Sequence, residues 1–442
     1  MPTKTTALPG LRGWLFGSAA LALVLLAGCA IRPTPTPRGL KSRSAVTLTL
    51  WHASDGAART LLSDLANDFH TAYPWITVRV EAEKREGDLL RQTLAAVALN
   101  QAPDVVIAEP RTLTELARRG ALIDLSSYVD DPASGFKPEE QNDFIPGALE
   151  AGRFYEFHDQ LLALPFDQHE VVLYANMDLL KAGNVTGLPR TWEAFGEAAL
   201  SATNDGTPGW DMTPDATIFY ALIFSHGGQV LDDTQSQILF NQPAGVDTLT
   251  LTAMLSNSGA VYLAADADDA RRYFTQGRAA FWFGTTRDLP TLPDAIARSG
   301  RFHWSVTSLP QSDPRHPATA FAGRMIALLK GSSERAQAAW AFAHWLVAPE
   351  QTARWSKATL ALPVRLSAQA LLTNDPSAEV EALLRSDTGQ TPVTRLGPTF
   401  KGAADFDAAI VEMWTAVANG TEPAPALARA VDRVSRILGS AP

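Results

Sequence analysis

One pattern repeats through the first third of this chain and leaves little freedom of architecture. Val46-Thr47-Leu48-Thr49-Leu50-Trp51 alternates apolar and β-branched residues with a period of two, as a strand does. The polar turn Ala53-Ser54-Asp55-Gly56 follows. Leu61, Leu62, Leu65 and Phe69 then recur at the spacing of one helix face, and Tyr73-Pro74 closes the helix before a second strand, Ile76 to Val80. A second helix, Asp88 to Ala98, turns Leu90, Leu94 and Val97 inward and leads through Pro103 into Val105-Val106-Ile107. That last run is apolar at every position. It predicts a strand covered on both faces, which belongs in a parallel sheet flanked by helices. Another helix, starting at Thr112 or Thr114, is stopped by Gly120.

Beyond a loop rich in Asp, Pro and Gly (Asp130 to Pro146), two neighbouring strands, Leu161 to Pro165 and Val171 to Tyr174, open a second lobe. Its expected helices are Trp192 to Ala202, Asp215 to Phe224, Val246 to Leu255 and Ala265 to Phe274, followed by the strand Ala279 to Phe283. Strands at Phe302 to Val306 and Met325 to Leu329, a helix at Glu334 to Val347 and a helical tail from Asp405 complete the reading. A hydrophobic fraction of 46% and a charged fraction of 19% suit a globular body with room for two or more domains.

The only cysteine, Cys29, ends Leu26-Ala27-Gly28-Cys29, directly after the apolar stretch Trp14 to Leu26 and the basic residues Lys4 and Arg12. The stretch is short for a bilayer span and reads as an export signal. A plain secretory signal needs no cysteine there, so residues 1–28 resemble a bacterial lipoprotein signal with Cys29 as the lipidation site. The competing reading is an ordinary cysteine at the start of a membrane anchor. Two acyl chains, at ~0.8 kcal/mol per buried methylene, would hold a soluble body at the membrane without a spanning helix. Residues 29–44, with Pro33-Thr34-Pro35-Thr36-Pro37, read as an extended tether. With Cys29 committed to lipid, the mature body has no disulfide.

Net charge is -10 and no dense Lys/Arg cluster occurs, which argues against nucleic acid and polyanionic partners. Eight scattered histidines offer no metal-ligand spacing. Gly-x-Ser-x-Gly, His-Glu-x-x-His and Walker motifs are missing from the sequence, so neither a cofactor nor a catalytic residue is assigned. The 11 Trp are many for this length and suggest ligand surface.

In order along the chain stand Leu48-Thr49-Leu50-Trp51-His52, Ala102-Pro103-Asp104-Val105-Val106, Leu164-Pro165-Phe166-Asp167, Leu173-Tyr174-Ala175-Asn176, Leu188-Pro189-Arg190-Thr191-Trp192-Glu193 and Gly227-Gly228. This series resembles the extracellular solute-binding proteins of family 1, which serve ABC importers of sugars and polyols. The resemblance implies an α/β fold of the two-lobed periplasmic-binding-protein type (type II-like), with discontinuous lobes joined by hinge strands and closing on ligand. It places residues 45–166 plus 308–348 in lobe 1 and 167–307 plus 349–442 in lobe 2, with crossings near Asp167 to Glu170, Phe302 to Leu309 and Pro349 to Thr359. It also implies a monomer that meets ABC permease subunits, anchored by lipid outside the cytoplasm.

Ligands of open α/β sheets gather beyond the carboxyl ends of the strands. That rule selects His52 to Gly56, Ala108-Glu109-Pro110-Arg111 and Gly284-Thr285-Thr286-Arg287. By resemblance to the maltodextrin-binding members, Ser54, Asp55, Ala108 to Arg111, His169, Gly284, Thr285 and Thr286 meet a sugar. The chemistry suits a neutral polyhydroxylated ligand: carboxylates of Asp55, Glu109 and Asp167 accept hydroxyl protons and Arg111 donates in a fork. Trp210, set among turn residues, and Trp51 are stacking candidates. Alternatives stand beside each. Asp55 can cap the following helix, Glu109 and Arg111 can pair with each other, Trp51 can be core, His169 can be a hinge residue, and Trp282 can face core or cleft.

Two departures bear on the ligand. Thr286 stands where maltodextrin-type members carry an aromatic, and Leu360-Ala361-Leu362-Pro363 lacks the tyrosine of the Gly-Tyr-Leu-Pro found in the glycerol-3-phosphate branch. No phosphate site is carried over. The functional expectation is capture of a carbohydrate or polyol for an importer. A receptor for glycerol-3-phosphate or a glycerophosphodiester is the alternative, with a lipid-anchored glycoside hydrolase, which needs two carboxylates ~5–10 Å apart, behind it.

Overall fold

The structure is a computed structural model that describes residues 45–54, 56–204, 206–372 and 392–440. The expected lipoprotein signal, Cys29 and the expected tether lie outside these residues, as does Asp55.

The principal elements of the first lobe begin with β1 (Val46–His52), α1 (Gly56–Ala72), β2 (Ile76–Ala82), α2 (Glu86–Ala98), β3 (Val105–Ala108) and α3 (Pro110–Arg118). A hairpin of β4 (Arg153–Phe154) and β5 (Gln160–Leu161) precedes β6 (Leu164–Asp167). From β7 (Val171–Asn176) the chain continues through α4 (Trp192–Ala202), β8 (Trp210–Met212), α5 (Ala216–Ser225), α6 (Pro243–Asn257), β9 (Val261–Leu263), α7 (Ala267–Thr275), β10 (Phe281–Thr285), β11 (Trp304–Ser308) and β12 (Ala318–Ala320). It then forms β13 (Arg324–Leu328), α8 (Ser333–Leu346), α9 (Pro349–Thr359), β14 (Val393–Arg395), α10 (Ala403–Ala418) and α11 (Pro423–Ser440).

Two five-stranded sheets result. The first has the order β2-β1-β3-β13-β6, with β1 parallel to both neighbours and β13 antiparallel to β3 and β6. All four residues of β3 are buried, as its unbroken apolar run predicts. Val105 and Ile107 enter one core with Leu48, Leu50, Ile326 and Leu328, while Val106 and Ala108 enter another with Met325 and Ala327. Asp104 of the Pro-Asp-Val-Val motif fastens this layer: its carboxylate accepts the Thr49 amide (2.8 Å) and both Nε (2.6 Å) and Nη2 (2.5 Å) of Arg335 on α8. On α2 the deepest residues are Leu89, Thr93 and Ala96, with Leu94 and Val97 half-buried beside them, so the inward face is turned by one residue from the expected one.

The second sheet has the order β11-β7-β10-β8-β9. Phe281, Phe283, Leu173 and Met212 point into a core shared with α4, α5 and α10, whereas Val172, Tyr174, Trp282 and Val306 occupy the opposite face.

The expected crossing at Asp167 to Glu170 is where β6 of the first sheet hands over to β7 of the second. The other two expected crossings are corrected. β11 stays in the second sheet beside β7, and Ala318 and Ala320 of β12 sit in the second core, so the chain returns to the first lobe only between Phe321 and Arg324, not at 308. Residues 349–372, expected in lobe 2, belong with the first lobe. There α9 packs on α1 with Trp355 in the first core, and the Arg365 guanidinium stacks over Phe144 at 4.0 Å. Apolar and aromatic residues on α9 decide this, because burying Trp355 against Phe166 (4.5 Å) outweighs any preference from chain order. Leu360 and Leu362 of this stretch touch the outer cluster of the second lobe, and among the described residues the segment from Val393 onward rejoins that lobe.

The crossing segments lie side by side. The carbonyls of Gln168, His169 and Glu170 accept the amides of Leu362 (2.9 Å), Ala322 (3.1 Å) and Thr286 (3.0 Å) respectively. The passage between lobes is therefore a short hydrogen-bonded strip rather than a free linker.

Candidate functional site

Where the two lobes face each other, a cavity of about 550 Å³ opens at the strand ends. The first lobe contributes Glu109, Pro110 and Arg111, the second contributes Thr213, Tyr220, Trp282, Gly284, Thr285, Arg287 and Asp407, and the return segment Phe321 to Gly323 forms part of the wall. Glu109 occupies the N-cap position of α3, where Pro110 suits the first helical turn. Glu86 accepts the Glu109 amide at 2.8 Å and so fixes the strand-to-helix turn that presents both charged side chains.

Those side chains reach across the gap instead of to each other. Glu109 faces Arg287 of the second lobe at 3.8 Å, and Arg111 pairs with Asp407 of α10, which also accepts the Tyr220 hydroxyl at 2.5 Å. Arg271 pairs with Asp288 at 3.3 Å on the second lobe. Five carboxylates line the cavity (Glu109, Asp215, Asp268, Asp288, Asp407) against three guanidiniums (Arg111, Arg271, Arg287), an excess of two negative charges. All three guanidiniums have carboxylate partners in the wall. Asp215 caps α5 by accepting the Ile218 amide at 3.1 Å.

A second set of expected residues is buried behind the cavity, at the hinge. Asp167 accepts the Arg324 amide at 2.7 Å and lies 4.0 Å from His169. Burial alone would raise its carboxyl, but Arg324, His169 and Arg287 together hold it below the ordinary range. His169 shares a hydrogen bond with Thr286 Oγ1 (3.2 Å), which also accepts the Glu170 amide (3.2 Å). Burial, aided by Arg287 and Arg324, outweighs the pull of Asp167 and pushes the His169 imidazole down to about 4. Ser54 is buried at the end of β1, where its hydroxyl accepts Arg324 and its amide donates to His52 Nδ1. His52 is likewise pushed down to about 4, by burial first and then by Arg324 and Arg59.

The structure thus brings Glu109, Arg111, Gly284 and Thr285 to the cavity wall and places Ser54, Asp167, His169 and Thr286 beneath it as hinge residues. Trp210 is a correction. It lies on β8, only 1% exposed, among Phe195, Phe283 and Trp414 in the second core, and offers no surface to a ligand. Its neighbours Gly206 to Pro208 form a turn, but the β8 register with Phe281 and Val261 turns the indole inward. Trp51 packs half-buried on the first lobe's core.

The indole that reaches the cavity is Trp282, stacked on Tyr174 at 4.9 Å and donating to Thr213 Oγ1 at 3.2 Å. Gly284 is required here, since a Cβ would stand 2.8 Å from the Trp282 ring and 3.0 Å from Tyr174. Trp282 is only 3% exposed, so little of its indole is open to the cavity. Sequence reasoning passed over Asp407, Tyr220, Arg271 and Arg324. The first three sit on helices, where their spacing resembles that of any solvated face, and Arg324 opens a strand that the sequence reading started one residue later.

The family profile described as bacterial extracellular solute-binding protein matches residues 54–353. Comparison with curated proteins by sequence finds no significant match. Among solved structures, the chain resembles the cyclic α-maltosyl-1,6-maltose binding protein from Arthrobacter globiformis, with a TM-score of 0.76 at 19% identity over 89% of this chain and 99% of that one. It also resembles the sugar-binding protein MalE from Xanthomonas citri (TM-score 0.75, 19% identity, 89% and 98% covered). UgpB from Mycobacterium tuberculosis, solved with glycerophosphocholine, gives a TM-score of 0.70 at 20% identity over 90% and 99%. At these identities the likeness is one of fold.

Proposed function

Because this chain belongs to the bacterial extracellular solute-binding proteins, we propose that it captures a carbohydrate or polyol between its lobes by hinge closure and delivers it to the permease of an ABC importer. The observation that carries this reading is the meeting of charged and hydroxyl groups from both lobes around one cavity of mixed polar and apolar wall. Such a wall can accept and donate to many hydroxyls at once, and it is completed only when the lobes approach. The similar structures from Arthrobacter and Xanthomonas are described as binding sugars, in keeping with the proposal.

The glycerol phosphate alternative draws support from the likeness to UgpB. The charge of the wall disfavours a phosphate monoester, because every guanidinium there already has a carboxylate partner and two carboxylates remain in excess. We read the protein as a receptor rather than an enzyme, in line with its family. The same reading takes Cys29 as the lipid attachment site of a monomer held outside the cytoplasm. Among the described residues no helix is long and apolar enough to cross a membrane.

Thermal-shift screening of the soluble body against mono-, di- and oligosaccharides, polyols and glycerophosphodiesters identifies the ligand, since binding to the folded state raises the melting temperature. The expected hit is a neutral sugar or polyol of micromolar affinity, roughly -8 kcal/mol. Calorimetry of Glu109→Gln with that hit should show affinity weaker by ~1–3 kcal/mol, as for a charged hydrogen bond. Wild-type affinity in the folded variant would move the site away from this cavity.

A further inference from the structure

The groove between the lobes is divided. Next to the cavity of about 550 Å³ lies another of about 720 Å³, and Leu396, Gly397, Pro398 and Thr399 line both. These four residues are a partition held from each side. From the first lobe, Arg118 Nη2 donates to the Thr399 carbonyl at 3.1 Å, and Arg118 is itself fixed by Glu156 through bonds of 2.9 and 2.8 Å. From the second lobe, Gln235 Oε1 accepts the Thr399 amide at 3.0 Å and Gln235 Nε2 donates to Thr399 Oγ1 at 3.3 Å.

The sequence explains why the strap lies so low. It follows β14, which is parallel to β12 and accepts the Phe321 amide through Arg395 at 2.9 Å, so its start is tied to the return crossing. Pro398 restricts the backbone, and Gly397 lets it rest on Tyr220, where a Cβ would stand 3.0 Å from the ring. Tyr220 in turn donates to Asp407, the partner of Arg111. Strap, ring and ion pair make one wall from lobe to lobe.

Resting on the carbohydrate reading, we propose that this wall sets ligand length: the inner chamber takes one to three sugar rings and rejects longer oligosaccharides. A cavity of about 550 Å³ is of ordinary small-ligand size, within the usual ~300–1,000 Å³. Rings extending toward the second chamber would have to displace the strap, and with it the contacts of Arg111 with Asp407 and of Arg118 with Thr399. Both contacts join the lobes, so a long ligand gains its extra hydroxyl bonds only by giving up those that complete closure.

The test is calorimetric titration of wild type, Arg111→Met and Asp407→Asn with α-1,4-glucan, β-1,4-glucan and β-1,4-xylan oligomers of one to six rings. In whichever series binds, the wild-type protein should hold the hexamer at least tenfold more weakly than its best oligomer of three rings or fewer. The variants should narrow that gap severalfold. Arg111 is exposed over 58% of its side chain, so its replacement leaves the fold intact, which a thermal melt verifies. A wild-type hexamer affinity equal to or better than the dimer's would overturn the length limit and leave the carbohydrate reading standing. Equal weakening at every length in the variants would make the pair a ligand contact and overturn its role as a wall. Silence from every series at every length would overturn the length limit; a glycerophosphodiester binding instead would overturn the proposed function as well, whereas a bound polyol would leave that function standing.

Discussion

Asp211 shares the face of β8 that neighbours Trp282 and Tyr262, and neither of its carboxylate oxygens has a hydrogen-bond partner among the described residues. Burial, with the charge of Asp269 nearby, pushes its carboxyl up to about 9. The folded state therefore keeps this proton while the unfolded chain loses it near pH 4, so the group costs stability progressively as pH rises from about 4 to 9. His52 and His169 act at the other end. Both are pushed down to about 4, the unfolded chain protonates them first, and their contribution is complete above about 6.5 and lost as pH falls toward 4, at about 1.4 kcal/mol per unit for each. Denaturant unfolding from pH 4 to 9 should show both limbs. Asp211→Asn should flatten the alkaline limb and steepen the acid one, gaining on the order of a few kcal/mol at pH 8 and nothing near pH 4. Because burial also raises the carboxyls of Glu86 and Asp288, a residual slope is expected, and only an alkaline limb of undiminished slope would show that Asp211 is not its main source. A lone Asp between Trp and Met gives no such signal in the sequence, since burial of a polar residue depends on which side of the sheet it faces. Trp210 teaches the same point from the opposite side: adjacent turn residues suggested exposure, but the period of two along β8 placed it inward.

Strand β10 shows how an element shapes a site. Phe281 and Phe283 alternate into the core, while Trp282 and Gly284 face the cavity side, and Thr285 closes the strand with a carbonyl that accepts the Tyr174 hydroxyl at 2.7 Å. Gly284→Ala should displace Trp282 or strain the strand, lowering stability by ~1–3 kcal/mol, the usual range for overpacking. Urea unfolding checks the first effect and Trp fluorescence the second, and no change in either would show that the rings yield freely. At this scale most of the fold was legible. β1, β3, α4 and the order of alternating elements follow from periodicity, and the strand-end rule found Glu109, Arg111, Gly284 and Thr285. It could not find Asp407 or Tyr220, which reach the cavity from helix faces brought there by tertiary packing. Nor could it separate Thr285 at the wall from Thr286 beneath it, which differ only in side-chain direction.

At the scale of the whole molecule, the lobes touch through Glu109–Arg287 and Arg111–Asp407. Partly exposed pairs of this kind are worth roughly 0–1 kcal/mol each and are screened by salt. Small-angle scattering without ligand should therefore show a more open particle at 1 M than at 0.05 M NaCl, and Arg111→Met should be open already at low salt. Equal compaction throughout would mean that the hinge strip alone sets the opening. The second and third crossings were illegible because chain order does not reveal which core receives β12 and α9; apolar side chains such as Ala320 and Trp355 decide it only once both cores exist. The first sheet has a consequence for how the molecule comes into being. β13 must slot between β3 and β6, although some 215 residues separate it from β3, and all of the second sheet lies in that interval. Until Leu328 has arrived, the wholly apolar β3 is an unpaired edge of the kind that recruits other chains. The part of the protein synthesised first is thus among the last to be finished, and its safety in the meantime depends on how soon the second lobe folds and brings β13 home.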